Sequence, residues 1–216
     1  MGSIEDAPES GITVDVDHNP YLAQGSGTVD AVVSIAVGAN AAAAATPADR
    51  LEVIAIDCSS SMRLPAAKFD AAKRATAAAI DELVDGTLFA IVAGTDDAAL
   101  VYPADGYSVR ADDATRAAAI QAVDALHAEG GTALGSWLAF IREIAGAHRS
   151  ASAHAILLTD GKDEHETSEQ LRDEIDLSKR VFRCDCRGVG TQWRVAELRA
   201  ISSALLGTVD IVADPE

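Results

Sequence analysis

The chain has 216 residues, 49% of them hydrophobic, and a formal net charge of −17 from 34 acidic against 17 basic side chains. That length accommodates one α/β domain of roughly 170 residues plus a small extra element, and the hydrophobic share excludes disorder over most of it. The acidity excludes nucleic acid as a partner, because neutralising phosphates takes clustered Lys and Arg, and it is read as a solubility device.

Residues 1–11 read as a flexible N-terminus. Ile12, Val14 and Val16 then alternate with Thr13, Asp15 and Asp17, and after a turn-rich stretch a second run puts Val29, Ala31, Val33, Ile35 and Val37 on one face. Both read as half-buried strands able to pair as a hairpin. Gly38 to Asp49, with Pro47 and a run of alanines, is a connection.

From Arg50 strands and helices alternate. Leu51 to Asp57 is an apolar strand, Ala66 to Leu83 a helix with Phe69, Ala72, Ala75, Ala79 and Ile80 near one stripe, and Leu88 to Gly94 a second strand. Asp96-Asp97 turns the chain into Ala99 to Tyr102, and so short a turn implies an antiparallel edge strand. Asp113 to Ala128 and Leu134 to Ala147 are helices, and Ala153 to Thr159 is a buried strand. Ser168 to Ser178, Val181 to Val189, Trp193 to Leu205 and Thr208 to Val212 complete the alternation. The expected fold class is α/β: a doubly wound, Rossmann-like, mostly parallel six-stranded sheet with helices on both faces. It occupies residues 50–216, after the β-strands and connection of residues 12–49.

Three loops of that domain carry oxygen donors. Ile56-Asp57-Cys58-Ser59-Ser60-Ser61-Met62 closes the first strand and sets Asp57, Ser59 and Ser61 on one tight Asp-x-Ser-x-Ser loop. Gly130-Gly131-Thr132 precedes a helix, and Thr159-Asp160-Gly161 ends another apolar strand. In an open α/β sheet such loops gather at the carboxyl edge, where ligands bind. A hard divalent ion takes oxygen ligands, of which only one or two are carboxylates.

Together these residues resemble, in order and spacing, the metal-ion-dependent adhesion site of von Willebrand factor type A (vWA) domains, and the resemblance runs from Arg50 to about Ala213. It implies that Ser59 and Ser61 ligate the ion directly, that Thr132 does so in the ligand-competent state, and that Asp57 and Asp160 act largely through water. It also implies the strand order 3-2-1-4-5-6, counted from the strand at Leu51. An ion held by neutral hydroxyls and water keeps much of its charge, so a carboxylate from a partner protein becomes a strong sixth ligand. The expected ion is Mg²⁺, with Mn²⁺ and Ca²⁺ as alternatives, and the expected partner is a protein presenting Asp or Glu. In related bacterial proteins a β-sandwich is assembled from segments on both sides of the vWA domain. The strands of residues 12–38 are therefore either half of such a module or a self-contained hairpin. The chain stops just after its last strand, where the family adds a helix, so a truncated chain is expected.

Rival chemistries fail on the same residues. A tyrosine phosphatase loop needs Arg six positions after its Cys, and Arg63 comes one residue too early after Cys58; a haloacid-dehalogenase phosphotransferase needs a second Asp where Ser59 stands. Nucleotide-phosphate and acyl-transfer motifs are absent, and His165-Glu166 lacks the second His of a zinc protease. The three cysteines, Cys58, Cys184 and Cys186, read as small buried thiols, not a zinc site. His154 reads as packed in its strand, and the other four histidines as solvated. Asp163, Glu164 and Glu166 read as a solvated charge run on the rim.

No signal peptide and no run of about 18 apolar residues is present, so the expected location is cytoplasmic, without membrane association. Arg outnumbers Lys and Ala is frequent, which points to a bacterium of high genomic G+C content. The functional expectation is a divalent-metal-dependent protein-binding module, not an enzyme. The alternative is a scaffold or regulatory subunit whose metal site is structural and whose binding surface lies elsewhere.

Overall fold

In the computed structural model, Ile12–His18 (β1) and Ala31–Val37 (β2) pair antiparallel, with Val14 opposite Ile35 and Val16 opposite Val33. The residues described are 12–18, 21, 29–37, 49–161, 165–190 and 195–212. The expected flexible N-terminus and nearly all of the turn-rich stretch and the alanine-rich connection lie outside them. The chain divides into two units, Met1–Ala48 and Asp49–Glu216. Alternation located the first two strands correctly but misjudged their burial: Val14, Val16, Val33 and Ile35 are 51–66% exposed. Alternation reports two chemically distinct faces, and a two-stranded ribbon has no second layer to cover the apolar one.

The second unit runs β3 (Arg50–Asp57), a 3₁₀ turn (Ser60–Arg63), α1 (Ala66–Asp81), β4 (Leu88–Gly94), β5 (Ala98–Tyr102), β6 (Val109–Arg110), α2 (Asp113–Asp124) and α3 (Leu134–Ala147). It continues through β7 (Ser152–Thr159), α4 (Ser168–Ser178), β8 (Arg183–Val189), α5 (Val195–Ala204) and β9 (Val209–Val212). The strands lie in the order β5-β4-β3-β7-β8-β9, all parallel except β5. Counted from β3 with β6 left out, that is 3-2-1-4-5-6. The sheet has a seventh strand, β6, which pairs antiparallel with the start of β4 through two residues, too few for any periodicity to show.

Odd and even positions of β3 face different cores. Leu51, Val53 and Ala55 pack with Trp137, Leu138 and Ile141 of α3 and with residues of α4 and α5. Ile54 and Ile56 pack with Met62, Phe69 and Ile80 on the α1 and α2 side. A strand covered on both faces loses alternation and becomes continuously apolar, which is why β3 reads as a hydrophobic run from Val53 to Ile56, with Glu52 near its start as the exception.

Helix boundaries follow the chemistry at their ends. α2 starts at a capping box between Asp112 and Thr115, and α4 at one between Thr167 and Gln170. α2 ends at Asp124, earlier than the apolar pattern to Ala128 implies, because Lys73 Nζ of α1 caps the carbonyls of Asp124 and Leu126 at 2.8 and 2.6 Å. Among the described residues no helix is long and apolar enough to cross a membrane.

Candidate metal centre

β3 and β7 are parallel neighbours, with Ile56 opposite Leu158, so their next residues, Asp57 and Thr159, meet at the carboxyl edge of the sheet. The Thr159 hydroxyl donates to Asp57 Oδ2 at 2.6 Å and itself accepts the Gly161 N–H at 2.8 Å. The Ser59 N–H donates to Asp57 Oδ1 at 2.8 Å, closing the loop back on its first residue. The 3₁₀ turn then brings Ser61 round so that the Ser59 and Ser61 hydroxyls lie 2.9 Å apart. Asp57, Ser59 and Asp160 are fully or almost fully buried. Burial pushes the Asp57 carboxyl above its ordinary range, hydrogen bonds from Ser59 and Thr159 oppose that rise, and the Asp160 charge adds to it.

The Gly130-Gly131-Thr132 loop is tied to the same place by backbone. Ser60 N–H donates to Gly130 O at 2.9 Å, and Glu129 N–H to Cys58 O at 2.6 Å. Thr132 is buried beside them. Its N–H donates to His165 Nδ1 at 3.3 Å, and its carbonyl accepts the His165 N–H at 3.2 Å. Asp96 completes the clamp, taking the Gly131 N–H at 3.0 Å with its carboxylate 3.4 Å from His165 Nε2. Both glycines are required here: Gly130 has φ +80°, and a Cβ on Gly131 would land on the His165 ring and the Asp96 carboxylate.

Asp160 is held from α1. Lys68 Nζ donates to Asp160 Oδ2 at 2.5 Å and to the Ser61 carbonyl at 3.0 Å, with the two side chains 7% and 0% exposed. The five residues expected at the site are thus gathered at one edge: Asp57, Ser59 and Ser61 on the loop after β3, Thr132 before α3, and Asp160 after β7.

The profile of the von Willebrand factor type A domain matches residues 52–211. The chain belongs to the vWA family. A vWA protein from Catenulispora acidiphila is 47% identical and superposes with a TM-score of 0.83 over 99% of this chain and 48% of that one. Proximal thread matrix protein 1 from the mussel byssus, solved with zinc occupying its adhesion-site motif, is 24% identical, with a TM-score of 0.62 over 77% of this chain and 42% of its own. The ArnB paralog VWA2 of Sulfolobus acidocaldarius is 17% identical and matches with a TM-score of 0.63 over 96% of this chain and 52% of its own. The last two show the shared fold. This chain therefore spans about half the length of these solved proteins. No curated protein matches it. Membership of the family supports a binding or adhesion module as the general class.

The donor set of this vWA domain suits a hard cation: three hydroxyls and two buried carboxylates, all oxygen. Among the described residues no three His, Cys, Asp or Glu side chains converge on one point, and hydroxyls outnumber carboxylates in this donor set. Cys58 lies inside the loop, buried and with its thiol pushed up to about 12, first by desolvation and then by the Asp57 charge. It remains a protonated packing group, as does the buried Cys184, and Cys186 is buried in the same core as Cys184.

One reading of the rim needs correction. Glu166 is not a solvated charge: its carboxylate accepts the Gly135 N–H at 2.6 Å in the first turn of α3. His165 is exposed as expected and is also bonded to Thr132 through its main-chain N–H and its ring Nδ1. Asp163 and Glu164 lie outside the described residues. The residue that sequence reasoning missed altogether is Lys68. Its signal was a lysine in the first turn of a helix, where the positive end of the macrodipole disfavours a cation unless something negative faces it.

Proposed function

We propose that this vWA domain is a divalent-ion-dependent protein-binding module in the bacterial cytoplasm, whose partner supplies an Asp or Glu carboxylate. The observation that carries the reading is the convergence of three loops, far apart in sequence, on a cluster of two buried carboxylates and paired serine hydroxyls. Ser59, Ser61 and Thr132 would hold the ion through their hydroxyls, while Asp57 and Asp160 balance its charge and orient its water. When bound, Mg²⁺ supplies a coordination position that a partner carboxylate can fill; Mn²⁺ and Ca²⁺ are the alternatives. The zinc in the mussel protein's site supports a divalent ion here without naming which one.

The chain's own residues shape the rest of the encounter. Thr159 and the Ser59 amide fix both oxygens of Asp57, so the loop arrives preorganised. Directly after the 3₁₀ turn of that loop Leu64 is 81% exposed, an apolar side chain three residues beyond Ser61. The acidic body steers toward a partner whose carboxylate is set in a basic surface. The reading is a binder and not an enzyme, because the gathered side chains are ion ligands committed to one another and form no base-and-nucleophile pair.

The test is a pull-down from lysate of the source cell with wild type in Mg²⁺, wild type in EDTA, and Asp57→Ala in Mg²⁺. Retention of a protein in the first sample alone is expected; equal capture in all three would sink the mechanism. A second reading is a scaffold that binds through β1 and β2, and the exposure of Val14, Val16, Val33 and Ile35 favours it. In that case capture survives EDTA and is lost when Val14 and Ile35 are replaced by serine.

A further inference from the structure

We infer that Lys68 is a built-in cation of the metal site: its ammonium shares Asp160 with the incoming ion, holds the ion-free site together, and lowers the affinity for the ion. The inference rests on the metal-binding reading above and adds to it a residue outside the five expected ligands.

Three observations converge on Lys68. Its ammonium bridges two of the three site loops, donating to the side chain of Asp160 and to the main chain of Ser61. It does so from the first turn of α1, where the helix dipole works against a positive charge, so the pairing with Asp160 is what keeps it there. Its stem is walled in by the turn after β8: Cγ, Cδ and Cε lie 3.4–3.6 Å from where a Cβ on Gly190 would stand, at φ +77°. The ammonium is therefore both buried and aimed.

The charge count gives the consequence. Counted by formal charge, Asp57 and Asp160 contribute two negative charges and Lys68 offsets one of them. A divalent ion entering the site meets a net charge of −1 rather than −2 and is repelled by the ammonium. The loaded site is left with a net positive charge, which favours an anionic sixth ligand. Without Lys68 the loaded site would be neutral. Lys68 thus trades affinity for the ion against affinity for the carboxylate, and it spares two buried carboxylates from facing each other unscreened when no ion is bound.

The test is calorimetric titration of Mn²⁺ into the full chain after chelator treatment, comparing wild type, Lys68→Met and Lys68→Gln. Both variants are expected to bind Mn²⁺ about tenfold tighter than wild type. Equal or weaker binding by the variants, with wild type binding, overturns the inference and leaves the metal site standing. Absence of Mn²⁺ binding in all three overturns the metal reading itself and this inference with it. Thermal unfolding in EDTA and in Mn²⁺ supplies a second readout: the variants melt below wild type in EDTA and gain more from the ion than wild type does. If a variant folds only with the ion present, the Mn²⁺ concentration that restores its cooperative transition is compared with the one that stabilises wild type. A higher requirement in the variant overturns the inference.

Discussion

Thr159 ends one strand and Asp57 ends its neighbour, and the hydroxyl of the first donates to the carboxylate of the second at 2.6 Å, with both side chains buried. This bond fastens the two halves of the sheet at the edge that carries the site. Thr159→Val keeps the shape and removes the donor, leaving a buried carboxylate oxygen and the Gly161 N–H each short of a partner. The expected cost is about 2–3 kcal/mol, measured by urea unfolding in EDTA. An unchanged midpoint would show that the bond contributes nothing to the fold.

Gly131→Ala places a methyl group against His165 and Asp96 and displaces the loop that presents Thr132. A loss of about 1–3 kcal/mol in stability and a weakening of Mn²⁺ binding by about tenfold are expected. The double variant Gly131→Ala, His165→Ala removes the ring that the methyl would strike and should recover part of the stability. If the single variant binds Mn²⁺ as wild type does, Thr132 is not positioned by this clamp.

His154 supplies the pH dependence. Its Nδ1 lies 2.7 Å from Glu52 Oε2 and its Nε2 3.5 Å from Asp185 Oδ2. The hydrogen bond to Glu52 holds the imidazole above its ordinary 6.5, against partial burial and with help from the Glu52 and Asp185 charges. A group whose pKa is raised on folding stabilises fully below the unfolded value and loses that contribution as pH climbs through the folded one. Stability of the wild type should therefore fall as pH rises above 6.5, and His154→Gln should flatten that slope. Urea midpoints across the range give the comparison, and parallel slopes would rule His154 out as the cause.

The strands β3, β4 and β7 were readable as largely apolar runs, with Asp57 ending one and Asp160 following another, whereas the order of the sheet came from the family resemblance. The loop after β3 was readable because Asp57, Ser59 and Ser61 lie close together within it, whereas the family resemblance joined Thr132 and Asp160 to it. What could not be read were contacts between loops. Lys68 and Asp160 are 92 positions apart, so neither predicts the other. His165 and Asp96 look like ordinary surface residues until the chain folds them around Thr132. The exposure of β1 and β2 escaped for a different reason, since a pattern of alternating residues records which face is apolar and says nothing about whether another layer covers it.

The bond between Thr159 and Asp57 closes a loop of 102 positions. While the chain is being synthesised, Asp57, Ser59 and Ser61 leave the ribosome long before the strand that must lie beside them, and Lys68 waits for a counter-charge not yet made. No fragment ending before residue 160 contains the complete set of donors. On the proposed metal-binding reading, ion uptake by the growing polypeptide would follow the pairing of β7 with β3 rather than direct it.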